Sequence, residues 1–382
     1  MKIVHICISV PYVDSWGYQE NLLPAYLQKA GAQNYVIASA NNFPVYLKED
    51  AREAILKKGS SYSIDGVQIR RIHTKRISTS LYLCNGLKAV LNDIKPDAIF
   101  HHNFNCTSLV TAMRYAKKNH IPLLVDNHAD TINMTRNRLW RLLYYKVLTG
   151  GACLLYGKRI FKAYGVTHAR CDFIKDFFGL PSDKINFLPI GADVDTADTL
   201  ASKLDLREKY GFEQNSFVVV SGGKMGVDKG TDNLIDAVKE LNADYPHLRL
   251  VLFGVIEDDE TASKAASDKN TTLFGWCDRQ KTLELLKMAD IACWPIHHTT
   301  LIEDAVSVGT PFINRKTATS EHLIDGNGSW LQTGSKEEIK AVVKVYLDTE
   351  DMAAVEQACE KMKDRISYKT IARRVLEDIA LY

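Results

Sequence analysis

Two doubly wound α/β domains are the fold class this sequence predicts, and three observations carry the prediction. The chain has 382 residues, too many for one ordinary core and suited to two domains of roughly 100–200 residues each. Short, unbroken apolar runs recur along it, each followed by a helix-like segment. Such strands alternating with helices indicate parallel sheets covered on both faces. The runs also fall into two series, divided near Pro189–Thr196, where Pro-Ile-Gly-Ala-Asp-Val-Asp-Thr replaces the apolar pattern.

In the first series the expected strands are Ile3–Ile8, Tyr35–Ala38, Val67–Ile72, Ala98–Phe100 and Pro122–Val125, with Ile185–Leu188 ending it. The second holds Phe217–Val220, Leu248–Phe253, Thr272–Phe274, Ile291–Trp294 and Pro311–Ile313. Leu234, Ile235, Val238 and Leu241 make one apolar stripe, the mark of an amphipathic helix. Asp278 is placed to cap the helix carrying Leu283, Leu286 and Ala289. Ser335 and Glu338 form a capping box, and Ile339, Val342, Val343 and Tyr346 continue that helix on one face. Thr370–Tyr382 reads as an amphipathic helix with no strand after it. The expected division is 1–195, 196–368 and a final helix, 369–382, packing back on the first domain.

Composition narrows the function. With 46% hydrophobic and 25% charged residues the chain reads as a soluble globular enzyme. Its 48 basic and 46 acidic residues nearly cancel, giving +2, so nucleic acid is not an expected partner. The eight cysteines (Cys7, Cys84, Cys106, Cys153, Cys171, Cys277, Cys293 and Cys359) form no CxxC pair. They read as buried free thiols in a reducing cytoplasm. Lys2 and the run broken by His5 suggest a first strand rather than a signal peptide. No apolar stretch reaches the ~18 residues that a membrane span needs.

In open parallel sheets ligands bind beyond the carboxyl ends of the strands, so residues just after strands are the candidates. After Phe217–Val220 comes Ser221–Gly230, with four glycines and the lysines Lys224 and Lys229. Glycines let backbone approach a ligand, and lysines beside a helix start suit a phosphate. A solvated turn with surface lysines has the same composition. After Trp294, a short helix is expected from about Thr300 to Val308, capped by Thr299 or Thr300, with Glu303 in its first turn. Glu303 there suits ribose hydroxyls, or simply the helix dipole. Three further groups follow strands in the first half: Ser15–Glu20, His101-His102, and Asp126–Asp130. The Asp-x-Asp at Asp193–Asp195 falls in the linker, and no metal is expected there.

Together these segments resemble the retaining glycosyltransferases of the GT-B fold, in particular family 4 (group 1), two Rossmann-like domains with an interdomain cleft. Ser221–Leu234 is similar to that family's Gly-Arg-Leu…Lys-Gly stretch, with Lys224 for the arginine and Lys229 in register. Pro189–Asp193 is similar to its Pro-Asn-Gly-Val-Asp segment, Leu273–Cys277 to its Phe-x-Gly-x-Val turn, and Ile302–Pro311 to its Leu-Glu-Ala-Met-Ala-x-Gly-x-Pro helix. The resemblance implies an acceptor-side domain, 1–195, and a nucleotide-sugar domain, 196–368. It implies catalysis by Lys224, Lys229 and His128, and donor binding by Gly17, Gly223, Trp276, Thr299, Thr300, Leu301 and Glu303. His101, His102, Asp130 and His297 would meet acceptor or sugar. The donor would be a nucleoside diphosphate sugar, the acceptor a glycan or lipid-linked glycan, with no cofactor and no essential metal. Bacterial surface polysaccharide or glycolipid assembly, in the cytoplasm or on the inner membrane face, is the implied setting.

One departure stands out. The first glutamate of the family's pair would fall at Pro295, and Ile296–Thr300 replaces its glycine-rich stretch, so His297 or His298 is a candidate for part of that role. A sugar-nucleotide epimerase using Asp126, Asp130 and Glu303, and a non-catalytic partner of the same fold, are the rival readings. Arg136–Tyr164 interleaves basic and aromatic residues, among them Arg136, Arg138, Trp140 and Arg141. Interfacial helices use that mixture, and a half-buried helix pair gives the same composition.

Overall fold

The computed structural model describes residues 1–45, 47–77, 82–104, 107–129, 139, 142–349 and 351–382. Asp130, Arg136, Arg138, Trp140, Arg141 and Cys106 lie outside them. The chain divides into two compact units, one of Met1–Pro189 with Tyr368–Tyr382 and one of Ile190–Ser367. The division falls at Pro189/Ile190, upstream of the expected 195/196.

Unit 1 contains β1 (Lys2–Cys7), β2 (Gln33–Ser39), β3 (Ser61–Ile64), β4 (Val67–Ile72), β5 (Thr74–Arg76), β6 (Tyr82–Cys84), β7 (Ala98–His101), β8 (Leu123–Asn127), β9 (Lys162–Gly165) and β10 (Ile185–Phe187). Eight of them form a sheet in the order β10-β9-β8-β7-β1-β2-β4-β3. It is parallel except for the edge strand β3, and β5 and β6 form a separate hairpin. The order reverses between β1 and β7, the switch point where doubly wound sheets bind ligands. Val4, Ile6, Ile99 and Val125 face one buried layer; Ile3, Ala98, Phe100 and Leu124 face the other. Adjacent side chains of a strand point to opposite faces, so a strand covered on both sides is apolar throughout.

Helix Tyr368–Ala380 fills the second layer of unit 1. Its Tyr368, Ile371, Val375 and Ile379 pack with Leu23, Tyr26 and Leu27 of helix Gln19–Lys29. Asp378 accepts hydrogen bonds from Tyr164 Oη (2.6 Å) and Lys162 Nζ (2.7 Å), pinning the helix to β9.

Unit 2 contains β11 (Phe217–Met225), β12 (Leu248–Ile256), β13 (Thr271–Leu273), β14 (Ile291–Trp294), β15 (Phe312–Arg315) and β16 (Gly328–Leu331). They form one parallel sheet in the order β13-β12-β11-β14-β15-β16, reversing between β11 and β14. The Ser335 hydroxyl accepts from the Glu338 amide, and Asp278 accepts from the Lys281 amide. Both N-caps are therefore formed, but the capping box is one-sided: the Glu338 carboxylate accepts from the Gln332, Thr333 and Gly334 amides, while the Ser335 amide donates to Thr333 Oγ1.

Candidate functional site

At the switch point of unit 2 the structure departs from the expected turn. Strand β11 does not stop at Val220; it runs to Met225, with Gly222 opposite Phe253, Gly223 opposite Gly254 and Lys224 opposite Val255. Glycine permits this extension. A Cβ on Gly222 would lie 2.3 Å from the Phe253 ring, and Gly223 has φ 97°, a left-handed backbone that side chains rarely adopt. The chain then makes one 3₁₀ turn, Val227–Lys229, before helix Thr231–Leu241. Lys224 and Lys229 are thus carried past the sheet's edge on the same side as the end of β14.

There β14 ends at Trp294 and residues 295–300 lead into helix Leu301–Ser307. Trp294 Nε1 donates to the Gly222 carbonyl (3.1 Å), tying the two strand ends. Asn314 Nδ2 donates to the carbonyls of Trp294 (2.7 Å) and His297 (3.2 Å), fixing the loop from below. The result is a pocket of about 230 Å³ whose lining includes Ser221, Lys224, Lys229, His297, His298 and Thr299. Lys224 Nζ lies 3.3 Å from Glu257, and Lys229 Nζ 3.1 Å from Asp228. Exposed pairs of this kind contribute about 0–1 kcal/mol, so a phosphate displaces them at little cost. Burial, followed by the Lys229 ammonium, lowers the His297 imidazole below its usual range, leaving a neutral ring beside the lysines.

Glu303 is only 2% exposed. Its Oε1 lies 3.1 Å from His298 Nε2, while Oε2 has no hydrogen-bond partner among the described residues. Buried carboxylate oxygens are normally satisfied, so this one is left open to a further donor. The expected cap is weaker than the sequence suggests. Thr300 is the N-cap residue but its side chain makes no capping bond, and Thr299 Oγ1 accepts from the Leu301 amide only at 3.5 Å. Gly223 and Leu301 meet behind the pocket, where a Cβ on Gly223 would be 3.2 Å from Leu301 Cδ1. Trp276 is 75% exposed, in the turn after β13; the neighbouring Gly275 carbonyl accepts from the Gly254 amide, holding that turn to β12. Asp193 pairs with Arg279 (3.6 Å).

Unit 1 gathers a second polar cluster at its own switch point. Asp126, fully buried at the end of β8, accepts at Oδ2 from His102 Nδ1 (2.8 Å) and Gln19 Nε2 (3.2 Å). Its Oδ1 accepts from the Asn103 amide (2.7 Å), and His128 Nε2 stands 3.4 Å from Oδ2. His102 Nε2 in turn lies 3.1 Å from His5 Nδ1, inside β1. Burial opposes charging of His102, yet Cys7 and Asp126 hold its imidazole well above the usual range. Burial would also raise the Asp126 carboxyl, but His102 and His128 hold it well below the carboxylate range. Burial and the neighbouring His102 keep His5 well below the imidazole range. A doubly protonated His102 therefore donates to Asp126 on one side and to neutral His5 on the other. Asn103 adopts φ 72° to present its amide to Asp126, and strained non-glycine backbone of this kind concentrates at functional sites.

Of the first-half candidates, only His128 reaches solvent from this cluster, with 24% of its side chain exposed. His101 and His102, expected to meet acceptor or sugar, do not reach solvent. Both are fully buried, and His101 is satisfied by the Asn103 carbonyl (2.8 Å) and Ser108 Oγ (2.7 Å). Gly17 sits between Ser15, at φ 62°, and helix Gln19–Lys29, in the turn after β1. His5 is the member of the network that the sequence reading missed, whereas Gln19 falls inside the candidate group Ser15–Glu20. The available signal was His5 itself, an ionisable side chain inside an otherwise apolar strand.

Residues 202–366 match the family described as glycosyl transferases group 1. Alpha-galactosylglucosyldiacylglycerol synthase of Streptococcus pneumoniae is 25% identical over 189 residues, 46% of this chain and 49% of that protein. The chain thus spans about half the length of that relative. Among solved structures, Anabaena HepE in complex with UDP aligns over all of both chains with a TM-score of 0.70 at 16% identity. A glycosyltransferase from Rickettsia africae aligns over 99% of this chain and 97% of its own, with a TM-score of 0.70 at 15% identity.

Proposed function

From the match of residues 202–366 to the group 1 glycosyl transferases and the likeness of the fold to solved glycosyltransferases, we propose that the protein transfers a sugar, with retained anomeric configuration, from a nucleoside diphosphate donor to a glycan or lipid-linked acceptor. The observation that carries this reading is the convergence of Lys224, Lys229, His297 and Thr299 on one pocket at the unit 2 switch point. Breaking the bond to the anomeric carbon leaves negative charge growing on the departing diphosphate. Fixed ammonium groups aimed at that charge stabilise the transition state more than the ground state. Lys224 and Lys229 take this role, so the chemistry calls for no essential metal.

Glu303, with its unpartnered Oε2, accepts from the ribose hydroxyls, and His298 holds its other oxygen. The turn carrying Trp276 receives the base; within unit 1, His128 stands beside Asp126. Pro295 stands where a second carboxylate would help hold the transferred sugar, and neutral His297 takes over there as a hydrogen-bonding group. The reading places the protein in bacterial surface-polysaccharide or glycolipid assembly, in the cytoplasm or peripheral on the inner membrane face.

Isothermal titration with a panel of nucleoside diphosphates tests the donor site. One base is expected to bind, and Lys224→Ala and Lys229→Ala are each expected to weaken it about tenfold or more, the ~1.4 kcal/mol of one charge-assisted contact. Absence of binding to every nucleotide sinks the transferase reading and leaves a non-catalytic partner of the same fold.

A further inference from the structure

The outer face of unit 1 carries a feature that the donor pocket does not use. Segments Leu142–Gly150 and Gly151–Tyr156 form a continuous helical stretch whose inward side is Tyr144, Tyr145, Thr149, Gly150 and Cys153. Tyr145 packs edge-on against Phe173 and Phe177, at 5.6 and 6.4 Å between ring centres, so this side is anchored in the core. The outward side is apolar as well. Leu142, Leu143, Val147, Leu148, Leu154 and Leu155 are all exposed, Leu154 by 75% and Leu155 by 77%. An ordinary surface helix turns polar residues outward, and contiguous exposed apolar patches mark interaction sites.

Charge says what covers this face. Lys146 and Lys158 are exposed beside the leucines, with Arg159 next in the chain. Between Asp130 and Asp172 the sequence holds no carboxylate side chain, while Lys and Arg recur throughout. Apolar side chains flanked in sequence by lysine and arginine that have no carboxylate partner among the described residues fit the headgroup region of an anionic bilayer. A second copy of the chain fits less well, because protein interfaces are depleted in lysine. No described helix is long and apolar enough to cross a membrane, so the stretch would lie on the surface.

We infer that the outward face of Leu142–Tyr156 docks unit 1 onto an anionic lipid bilayer, its leucines entering the headgroup boundary and its basic residues engaging lipid phosphates. The inference gives the peripheral-membrane part of the proposed function a definite surface. It is independent of donor binding, which lies in unit 2.

Vesicle flotation of the full chain tests it, using phosphatidylcholine alone and phosphatidylcholine mixed equally with phosphatidylglycerol. The protein is expected to float with the mixed vesicles only, and to be released by high salt, as screened charge contacts require. Leu154→Ser/Leu155→Ser and Lys146→Glu/Lys158→Glu should each lower partitioning by about tenfold or more, since the first removes apolar groups that enter the headgroup boundary and the second reverses two charges that face lipid phosphates. All four side chains are exposed, so both variants should keep the wild-type circular dichroism and the wild-type heat of nucleotide binding. Failure of nucleotide binding with flotation intact counts against the donor reading, not against this surface. Wild-type protein that ignores the anionic vesicles overturns the inference. So does a leucine variant that floats as well as wild type, or a wild-type dimer in light scattering that the leucine variant dissociates.

Discussion

Replacing Asp126 with asparagine removes the one carboxylate on which His102, Gln19, His128 and the Asn103 amide converge. The amide oxygen can still accept from Asn103, so the lost element is the negative charge facing a buried imidazolium. Deleting one member of a buried, hydrogen-bonded ion pair is destabilising by about 3–5 kcal/mol. For a body of this size each kcal/mol shifts the thermal midpoint by roughly 2–4 °C, so a fall on the order of 10 °C is expected. The pH profile sharpens the test. Asp126 has its folded pKa depressed, so its stabilisation is present above the unfolded value of about 4 and is lost as pH falls. His102 has its folded pKa raised, so its stabilisation is complete below about 6.5 and is lost as pH rises through the elevated value. Wild-type stability should therefore plateau between those limits, and the Asp126→Asn protein should lack the Asp126 part of the acid decline. Thermal melts by circular dichroism across pH, with His102→Gln and the double variant completing a mutant cycle, measure the coupling. A midpoint within about 2 °C of wild type, or additive single effects, would refute the charged-relay account.

Two further outcomes follow from local contacts. Glu338→Gln should destabilise unit 2 by about 1 kcal/mol at neutral pH, as loss of a good cap does, because this carboxylate accepts from the amides of Gln332, Thr333 and Gly334. Those bonds hold the Glu338 carboxyl down at about 2 against the opposing effect of burial, so chemical denaturation should show the difference shrinking as pH falls from about 4 toward that value. Asp378→Ala removes the acceptor of Tyr164 and Lys162. It should cost about 1–3 kcal/mol and speed hydrogen exchange along Tyr368–Ala380, readable by mass spectrometry.

Most strands that the sequence reveals are buried on both faces, Ile185–Phe187 and Thr271–Leu273 being half-exposed exceptions. Phe217–Val220 is an unbroken apolar run, and Ile3–Cys7 is broken only by His5, because their side chains meet packed layers. Ser61–Ile64, Thr74–Arg76 and Tyr82–Cys84 escaped notice because edge and hairpin strands are half exposed and carry mixed residues. At the site, Lys224, Lys229, His297 and Thr299 were legible because a doubly wound sheet sends the residues after its strands to one end. The extension of β11 through two glycines was not, since only the partner strand β12 shows that Gly222 and Gly223 are ladder positions. The His5–His102–Asp126–His128 chain was illegible for a related reason. Its members come from three strands, and their pairing depends on sheet order, which no local spacing encodes.

Helix Tyr368–Ala380 belongs to unit 1 although all of unit 2 precedes it in the chain. Unit 2 is contiguous in sequence and unit 1 is not. During synthesis the strands of unit 1 emerge first, yet Leu23, Tyr26 and Leu27 await partners that are translated after all of unit 2. Unit 2 can complete its core while unit 1 still presents that apolar groove. Chains truncated after Ser367 are accordingly expected to hold a folded unit 2 and an unfinished unit 1, with the groove open to chaperones until Tyr368–Ala380 is supplied.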